Sequence, residues 1–348
     1  MERIQVESTT NQSTSGAACR RLRVIQVHPT LACNLTCRHC YSNSGPGLKR
    51  EIDFDRLTVF LTELRTEGYD VLSISGGEPF LYRRLGDLLQ FSRSAGYTNA
   101  LVTNGMLLGS PSNRQLLSLA DLVAVSVDGP PDLHNYVRNS PRAFEKMSEG
   151  VQTIRQEVER MGIIHSVSRR SWESLLWLGE WAYEHQADLL QLHLLEKTGR
   201  AETDMVGEEV DDLLHHKLFI LTTYLKQKYE PRMQLQLDML TRQSLLNRAG
   251  RDGEGFLNGF LSEIVINEQG NIVPFSYGFS DEFIIGNIAE HLSLKAMFER
   301  FTKQKGDALL ALAQRVLHQL RADEDTDFLN WGEYLIKASL EPATLEAV

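Results

Sequence analysis

Three cysteines on one short segment constrain this chain more than any other feature. Cys33, Cys37 and Cys40 have the spacing C-x3-C-x2-C, and Cys19 is the only other cysteine in the 348-residue sequence. An iron–sulfur cube binds one thiolate at each of four irons, so three cysteines leave one iron without a protein ligand. The spacing therefore predicts a cluster with an open iron, which is a place for chemistry.

A structural zinc site is the main alternative for this segment. His39 directly precedes Cys40, and Cys3His sites are common. Zinc ligands usually come as two separated pairs, however, and the sequence has no second C-x-x-C. The pattern favours iron, while a zinc or iron–sulfur module without catalysis stays open as an alternative.

The composition is that of an ordinary soluble globular protein, with 42% hydrophobic and 24% charged residues. No apolar run approaches the roughly 18 residues that span a bilayer, and the N-terminus has no apolar signal region. A net charge of −10 argues against a nucleic-acid surface. We therefore expect a cytoplasmic protein with neither a membrane nor a nucleic acid as partner.

The chain alternates predicted strands and helices, which is typical of an α/β fold with a parallel sheet. We expect a flexible leader at 1–20, a barrel domain at 21–205, a helical connection at 206–255, and a β-hairpin with a helical tail at 256–348. The connection is predicted to contain helices at 208–228 and 235–247, and the segment from strand four to Pro141 is predicted to be a loop. The six expected strands are 22–27, 71–75, 99–102, 122–127, 163–167 and 189–194.

Polar, glycine-containing motifs follow the first four predicted strands. The cysteines follow strand one, Gly-Gly-Glu-Pro at 76–79 follows strand two, Thr-Asn-Gly at 103–105 follows strand three, and Ser126 and Asp128 close strand four. Functional sites of parallel sheets gather at the carboxyl ends of the strands. Each motif alone could be a turn, but together they predict one site.

These motifs, with the aromatic Tyr41 after the last cysteine, resemble the radical S-adenosylmethionine (SAM) superfamily over about residues 22–200. The resemblance implies a partial (β/α)6 TIM-like barrel and one [4Fe-4S] cluster on the three cysteines. It implies that SAM chelates the fourth iron. An external reductant such as flavodoxin or ferredoxin would then drive cleavage of SAM to a 5′-deoxyadenosyl radical.

By the same resemblance, the motif at 76–79 meets the methionyl amine of SAM, and Ser126 and Asp128 contact its ribose and neighbouring groups. Arg138 would offer a cation to the SAM carboxylate, since guanidinium binds carboxylates bidentately. The alternatives are that Asp128 only shapes its turn and that Arg138 is a solvated surface residue. The predicted cofactor-binding residues are Tyr41, Gly76, Gly77, Glu78, Pro79, Thr103, Asn104, Ser126, Asp128 and Arg138.

Candidate catalytic residues follow from strand alternation, which directs Ser166, Ser168, Gln191 and His193 toward the barrel cavity. Each could equally fill a layer of the barrel core. Cys19 could donate a hydrogen atom to a product radical, as in peptide epimerases, or it could be an inert thiol.

The C-terminal region resembles the SPASM extension of radical SAM enzymes of the peptide-maturase type. The resemblance lies in 264–275 and in Ile-Gly-Asn-Ile at 285–288. In that pattern a cysteine follows the proline, whereas here Phe275 does, and no cysteine occurs after Cys40. We therefore expect a SPASM-like extension without auxiliary clusters. Reactions that return the hydrogen atom, regenerate SAM or lose a radical fragment are then favoured.

The resulting functional hypothesis is hydrogen-atom abstraction from a ribosomally synthesised precursor peptide, leading to backbone excision, a crosslink or epimerisation. About 20 residues before strand one are too few for a stable leader-binding domain, so we expect a separate leader-recognition protein. The alternative substrate is a small metabolite such as a sugar, a nucleoside or a cofactor precursor.

Overall fold

The computed structural model describes residues 22–248, 261–323 and 325–341. Cys19 and the predicted leader at 1–20 lie outside the described residues, as does part of the segment before the hairpin. In the described ranges, no helix is both long enough and apolar enough to cross a membrane.

Seven parallel strands run in sequence order across one sheet. The first six confirm the predicted parallel α/β arrangement of a partial barrel. The strands are β1 (Val24–Val27), β2 (Val71–Ile74), β3 (Thr98–Thr103), β4 (Leu122–Ser126), β5 (Arg160–Val167), β6 (Leu189–Leu194) and β7 (Gln234–Leu237).

The seventh strand corrects the sequence prediction, which placed a helix over 235–247. Gln-Leu-Gln-Leu at 234–237 alternates polar and apolar residues and pairs in parallel with β6. This pairing gives the backbone groups at the edge of β6 hydrogen-bond partners. After it come the short strand β8 (Leu240–Thr241) and a helix that begins only at Arg242.

Helices alternate with the strands and follow them, some packed on the sheet and others on neighbouring helices. They are α1 (Phe54–Thr66), α2 (Leu85–Ser94), α3 (Pro111–Leu117), α4 (Pro131–Arg138), α5 (Ala143–Glu157), α6 (Leu175–Glu184), α7 (Ala201–Asp204), α8 (Asp212–Tyr229), α9 (Arg242–Arg248), α10 (Leu294–Ala322) and α11 (Trp331–Leu340). The predicted loop before Pro141 is wrong in part, because α4 lies within it. Pro131 occupies the first helical position, where proline is favourable, and Asn139 ends the helix in the left-handed conformation.

The strands divide their side chains between two faces. On β6, Leu190, Leu192 and Leu194 belong to the large core between sheet and helices, so Gln191 and His193 face the opposite, inner side. The polar residues that sequence alternation assigned to the cavity on this strand therefore project into the barrel.

The predicted C-terminal hairpin is confirmed and continues the barrel sheet. It consists of β9 (Glu263–Ile266) and β10 (Asn271–Pro274), followed by the short strand β11 (Gly286–Asn287). β9 pairs in parallel with β1, placing Val24 opposite Glu263. β12 (Phe328–Leu329) pairs separately with β8. The hairpin thus reaches the strand that leads into the cysteines.

Candidate active site

The cysteine loop leaves the carboxyl end of β1 and folds back on itself. The backbone N–H of Cys33 donates to the Gly45 carbonyl at 3.3 Å, and the N–H of Gly45 donates to the Leu31 carbonyl at 3.1 Å. Cys33 and Cys37 are buried, while Cys40 is partly exposed. The loop therefore has a defined shape with one thiol near the surface.

Burial dominates the protonation of the inner thiols. Burial, with a smaller contribution from Glu78 and the neighbouring thiols, raises the pKa of Cys33 to about 12, although a hydrogen bond from the Leu35 backbone opposes the change. Burial also raises the pKa of Cys37, although the Arg138 guanidinium opposes the change. Such thiols ionise when a metal cation replaces their protons. This donor set fits an iron–sulfur cluster, and Cys33, Cys37 and Cys40 are the residues that would hold it.

The geometry of His39 distinguishes this loop from a Cys3His zinc site. Its Nε2 lies 3.5 Å from Asp128 Oδ1. Among the residues that the structure describes, no three Cys, His, Asp or Glu side chains are grouped to share one metal ion. The thiolates of a cube bind separate irons and do not converge on a single ion. The His39 imidazole therefore lies beside the Asp128 carboxylate.

The two glycines after β2 lie directly against the cysteine loop. A Cβ added at Gly77 would lie 2.2 Å from the Ala32 carbonyl oxygen, and one at Gly76, whose φ is +106°, would lie 2.8 Å from the Thr30 oxygen. The N–H of Gly77 donates to the Thr30 carbonyl at 2.8 Å. Because glycine has no Cβ, the backbone of the cysteine loop can approach Gly76 and Gly77 this closely.

Glu78 links the loops after β2 and β3. It is fully buried; its Oε1 accepts from Thr103 Oγ1 at 2.8 Å and its Oε2 accepts from the Asn104 N–H at 2.9 Å. Burial raises its pKa to about 7, although these hydrogen bonds oppose the change. Pro79 follows as the first residue of a short 3-10 turn, Pro79–Leu81.

Asn104 extends the same network to the cysteines. Its Nδ2 donates to Asn34 Oδ1 at 2.9 Å and lies 3.9 Å from Cys33 Sγ. The motifs after strands one, two and three, which the sequence placed at one end of the sheet, are therefore in direct contact.

Asp128 and Arg138 form a buried ion pair beside the cysteines. Arg138 Nε donates to Asp128 Oδ2 at 2.5 Å, and a second guanidinium nitrogen donates to Oδ1 at 3.3 Å. Another Arg138 nitrogen lies 3.8 Å from Cys37 Sγ. Burial alone would raise the pKa of Asp128, but Arg138 and His39 lower it well below its ordinary value. Arg138 is 8% exposed, so the solvated alternative for it is wrong.

The remaining sequence candidates lie on the inner face or in turns. Ser126 is half-buried at the end of β4, and Ser166 pairs with His193 across β5 and β6. Ser168 is hydrogen-bonded in a turn, where its Oγ accepts from the Ser171 N–H at 3.2 Å. Gln191 Nε2 donates to Gln236 Oε1 at 3.1 Å.

The sequence missed Asp238, which follows β7 and lies 2.6 Å from His193. The alternation of polar and apolar residues at 234–237 is typical of the strand that leads to Asp238, but the prediction placed a helix over 235–247.

Tyr41 joins the cysteine loop to the C-terminal hairpin region. Its ring centroid lies 5.5 Å from that of Tyr277, which stacks on His28 at 4.6 Å. The Tyr277 hydroxyl donates to Glu268 Oε2 at 3.2 Å. No sequence motif signalled this contact, because residues so distant in the chain meet only through the pairing of β9 with β1.

Arg200, after β6, is a second residue that the sequence analysis did not single out. Its Nε donates to the Cys37 carbonyl at 2.8 Å, a terminal guanidinium nitrogen donates to the Ser44 carbonyl at 2.6 Å, and its N–H donates to the Cys40 carbonyl at 3.0 Å. Gly199 permits this approach, since a Cβ there would lie 2.5 Å from the Cys40 oxygen. Arg200 therefore clamps the cysteine loop through its carbonyl groups.

A family comparison agrees with this geometry. The model of the Radical SAM superfamily matches residues 27–176. Residues 27–176 of this chain thus match a radical SAM domain. Radical SAM domains use a [4Fe-4S] cluster and SAM, and the three thiols of the cysteine loop fit that use.

Individual proteins similar to this chain have different activities. An AdoMet-dependent heme synthase of Methanosarcina barkeri is 31% identical over 199 residues, which are 56% of this chain and 57% of that protein. The sporulation killing factor maturation protein SkfB of Bacillus subtilis is 29% identical over 129 residues, 36% of this chain and 30% of that protein. The matched region thus spans about half or less of these relatives.

A solved structure extends the likeness in fold beyond the radical SAM domain. The structure of anSMEcpe with bound AdoMet superposes with a TM-score of 0.63 at 18% identity, covering 91% of this chain and 95% of that one. At this identity the likeness concerns the fold alone.

Proposed function

We propose that this chain is a radical SAM enzyme that abstracts a hydrogen atom from a ribosomally synthesised precursor peptide. The observation that carries the proposal is the cysteine loop, whose three thiols are held against the loops after β2, β3 and β4 inside a radical SAM domain. When bound, the cluster and SAM would supply the 5′-deoxyadenosyl radical.

The chain's own residues would hold and orient these groups. Arg138 places positive charge 3.8 Å from Cys37 Sγ, which favours the thiolate form. Asp128 fixes the guanidinium through two hydrogen bonds, so its role exceeds that of a turn residue. Glu78 orders the loops after β2 and β3, and an ammonium group brought beside it would favour its ionised form.

The inner face of the barrel supports a peptide as substrate. Its polar side chains are amides, hydroxyls and one His–Asp pair, which offer both donors and acceptors to a peptide backbone. They include Gln26, Ser73, Ser126, Ser166, Gln191, His193, Gln236 and Asp238. The likeness to the maturation protein SkfB points the same way.

A tetrapyrrole or another cofactor precursor is the second candidate substrate. It is favoured by the 31% identity to the heme synthase of Methanosarcina barkeri, although that match covers only part of each protein. Adding an iron-porphyrin precursor or a candidate precursor peptide to the reaction would separate the two, because the true substrate increases deoxyadenosine release.

The C-terminal region is proposed to be a SPASM-like extension that aromatic packing stabilises in place of clusters. Phe275, which replaces the expected cysteine, is buried and lies 6.4 Å from Phe279 between ring centroids. Phe279 in turn lies 5.4 Å from Phe283. We further propose a cytoplasmic location, an external reductant such as flavodoxin or ferredoxin, and a separate leader-recognition protein.

The decisive experiment is anaerobic reconstitution with iron and sulfide, followed by incubation with SAM and dithionite. We expect 5′-deoxyadenosine from the wild-type protein and none from Cys37→Ala, whose cluster lacks a ligand. A fully reconstituted wild-type protein that releases no deoxyadenosine would refute the enzymatic function.

A further inference from the structure

A partly buried His–Asp pair joins β6 to the residue that follows β7, and the histidine Nε2 has no hydrogen-bond partner among the described residues. His193 Nδ1 lies 2.6 Å from Asp238 Oδ2. His193 is 6% exposed, and its Nε2 is buried without a hydrogen-bond partner among the described residues. Buried polar atoms are nearly always satisfied in folded proteins. An orphaned polar atom on the inner face of the barrel therefore points to a place where a ligand could bind.

The pair faces the interior of the barrel. Leu192 and Leu194, which flank His193, pack in the core between sheet and helices, so His193 projects from the other face. On the neighbouring strand β5, Ile164 packs with Val102 and Ala124 on that inner face. His193 lies one step further toward the carboxyl ends of the strands, opposite Ser166.

This position is at the same end of the sheet as the cysteine loop. The segment after β6 returns to that loop within a few residues, because the N–H of Arg200 donates to the Cys40 carbonyl at 3.0 Å. A molecule in the barrel beside His193 would therefore lie on the side where the cluster-binding residues are.

The chemistry of the pair determines which ligand it accepts. A carboxylate only accepts hydrogen bonds, so Asp238 favours the neutral tautomer of His193 with the proton on Nδ1. The orphaned Nε2 then presents a lone pair. A ligand that binds this lone pair must supply an N–H or O–H donor.

We propose that His193 and Asp238 form a substrate-binding subsite in which His193 Nε2 accepts a hydrogen bond from a peptide amide N–H. The peptide as substrate class rests on the function proposed above. Asp238 is a positioning residue that selects the tautomer. The Gln191–Gln236 amide pair, earlier on the same two strands, continues a polar track suited to a peptide backbone.

The test uses two isosteric small molecules on the reconstituted, oxidised protein labelled with 15N-histidine. N-methylacetamide contains a peptide-like N–H, and methyl acetate has the same shape with an ester oxygen in its place. The signal followed is that of His193 Nε2. Its signal should shift in a saturable manner with N-methylacetamide and not with methyl acetate. Equal responses to both, or no response to either, would overturn the proposal.

Two variants complete the experiment. His193→Gln assigns the resonance, since it removes that signal. Asp238→Asn can donate to Nδ1, so it should place protons on Nε2 and reduce the response to N-methylacetamide at least several-fold. An unchanged response would show that Asp238 does not select the tautomer. If Asp238→Asn fails to fold, the comparison of amide and ester on the wild-type protein still decides.

This measurement requires no SAM cleavage. Failure of the proposed enzymatic function would appear as absent deoxyadenosine from the wild-type protein, whatever the NMR result. A failed subsite with intact deoxyadenosine release would leave the enzymatic function standing.

Discussion

Gly77→Ala should disrupt the cysteine loop. The added Cβ would lie 2.2 Å from the Ala32 oxygen and 2.8 Å from the Ala32 carbonyl carbon, both backbone atoms that cannot rotate away. The loop must move, which breaks the bonds from Gly77 N to Thr30 and from Glu78 N to Ala32, each 2.8 Å long. At about 1 kcal/mol for each bond and about 1–3 kcal/mol for overpacking, the loss is roughly 3–5 kcal/mol.

Urea unfolding measures this loss in the iron-free protein, and iron analysis after reconstitution measures its effect on the site. We expect a lower midpoint and a substoichiometric cluster for Gly77→Ala. Gly109→Ala is the matched control, because a Cβ at Gly109 meets nothing within 4 Å. Wild-type stability together with full iron content in Gly77→Ala would refute the claim that these glycines exist to admit the cysteine loop.

Three further changes test other contacts of the site. Arg200→Met removes two side-chain hydrogen bonds to loop carbonyls and should make the cluster more oxygen-labile; absorbance decay in air checks this, with the exposed Arg169→Met as control. In the iron-free protein, the raised pKa of Glu78 favours the native state below the ordinary carboxyl pKa. That contribution, up to about 3 kcal/mol, is lost as pH rises toward about 7, so the free energy of urea unfolding of wild type relative to Glu78→Gln should decrease over this pH range. Tyr277→Ala removes the ring against Tyr41 and should increase proteolytic cleavage of the cysteine loop, whereas Tyr277→Phe should not; equal cleavage of both variants would contradict a packing role.

The sheet was predictable because its first six strands are short apolar segments separated by helices. The grouping of motifs at one end also followed, since parallel strands bring their carboxyl ends together, and Glu78 with Asn104 shows the result. Register and packing against the C-terminal half were not predictable. The alternating segment 234–237 is too short to distinguish an edge strand from the start of a helix. Its state becomes clear only once the free edge of β6 is known to be its partner.

The site residues that were not predicted from the sequence escaped prediction for one physical reason. Asp238, Arg200 and Tyr277 act through contacts with residues distant in sequence, and their spacing has no periodic or motif signal. Arg138 is the opposite case. The family resemblance suggested its role, but nothing in the sequence indicated that its side chain is buried. Its pairing with Asp128 depends on how α4 folds back over the end of β4.

The charges of the site explain why a cationic cosubstrate suits it. Asp128 offsets part of the positive charge of Arg138, so the guanidinium compensates only part of the negative charge of the thiolates beside it. Burying further negative charge there is costly unless a cation accompanies it. Bound iron would provide part of that compensation, and the sulfonium and ammonium groups of SAM would provide more. The raised pKa of Glu78 has the same origin: until a cation arrives, the buried carboxyl next to this loop is held near neutrality, and the arriving cation would restore its charge.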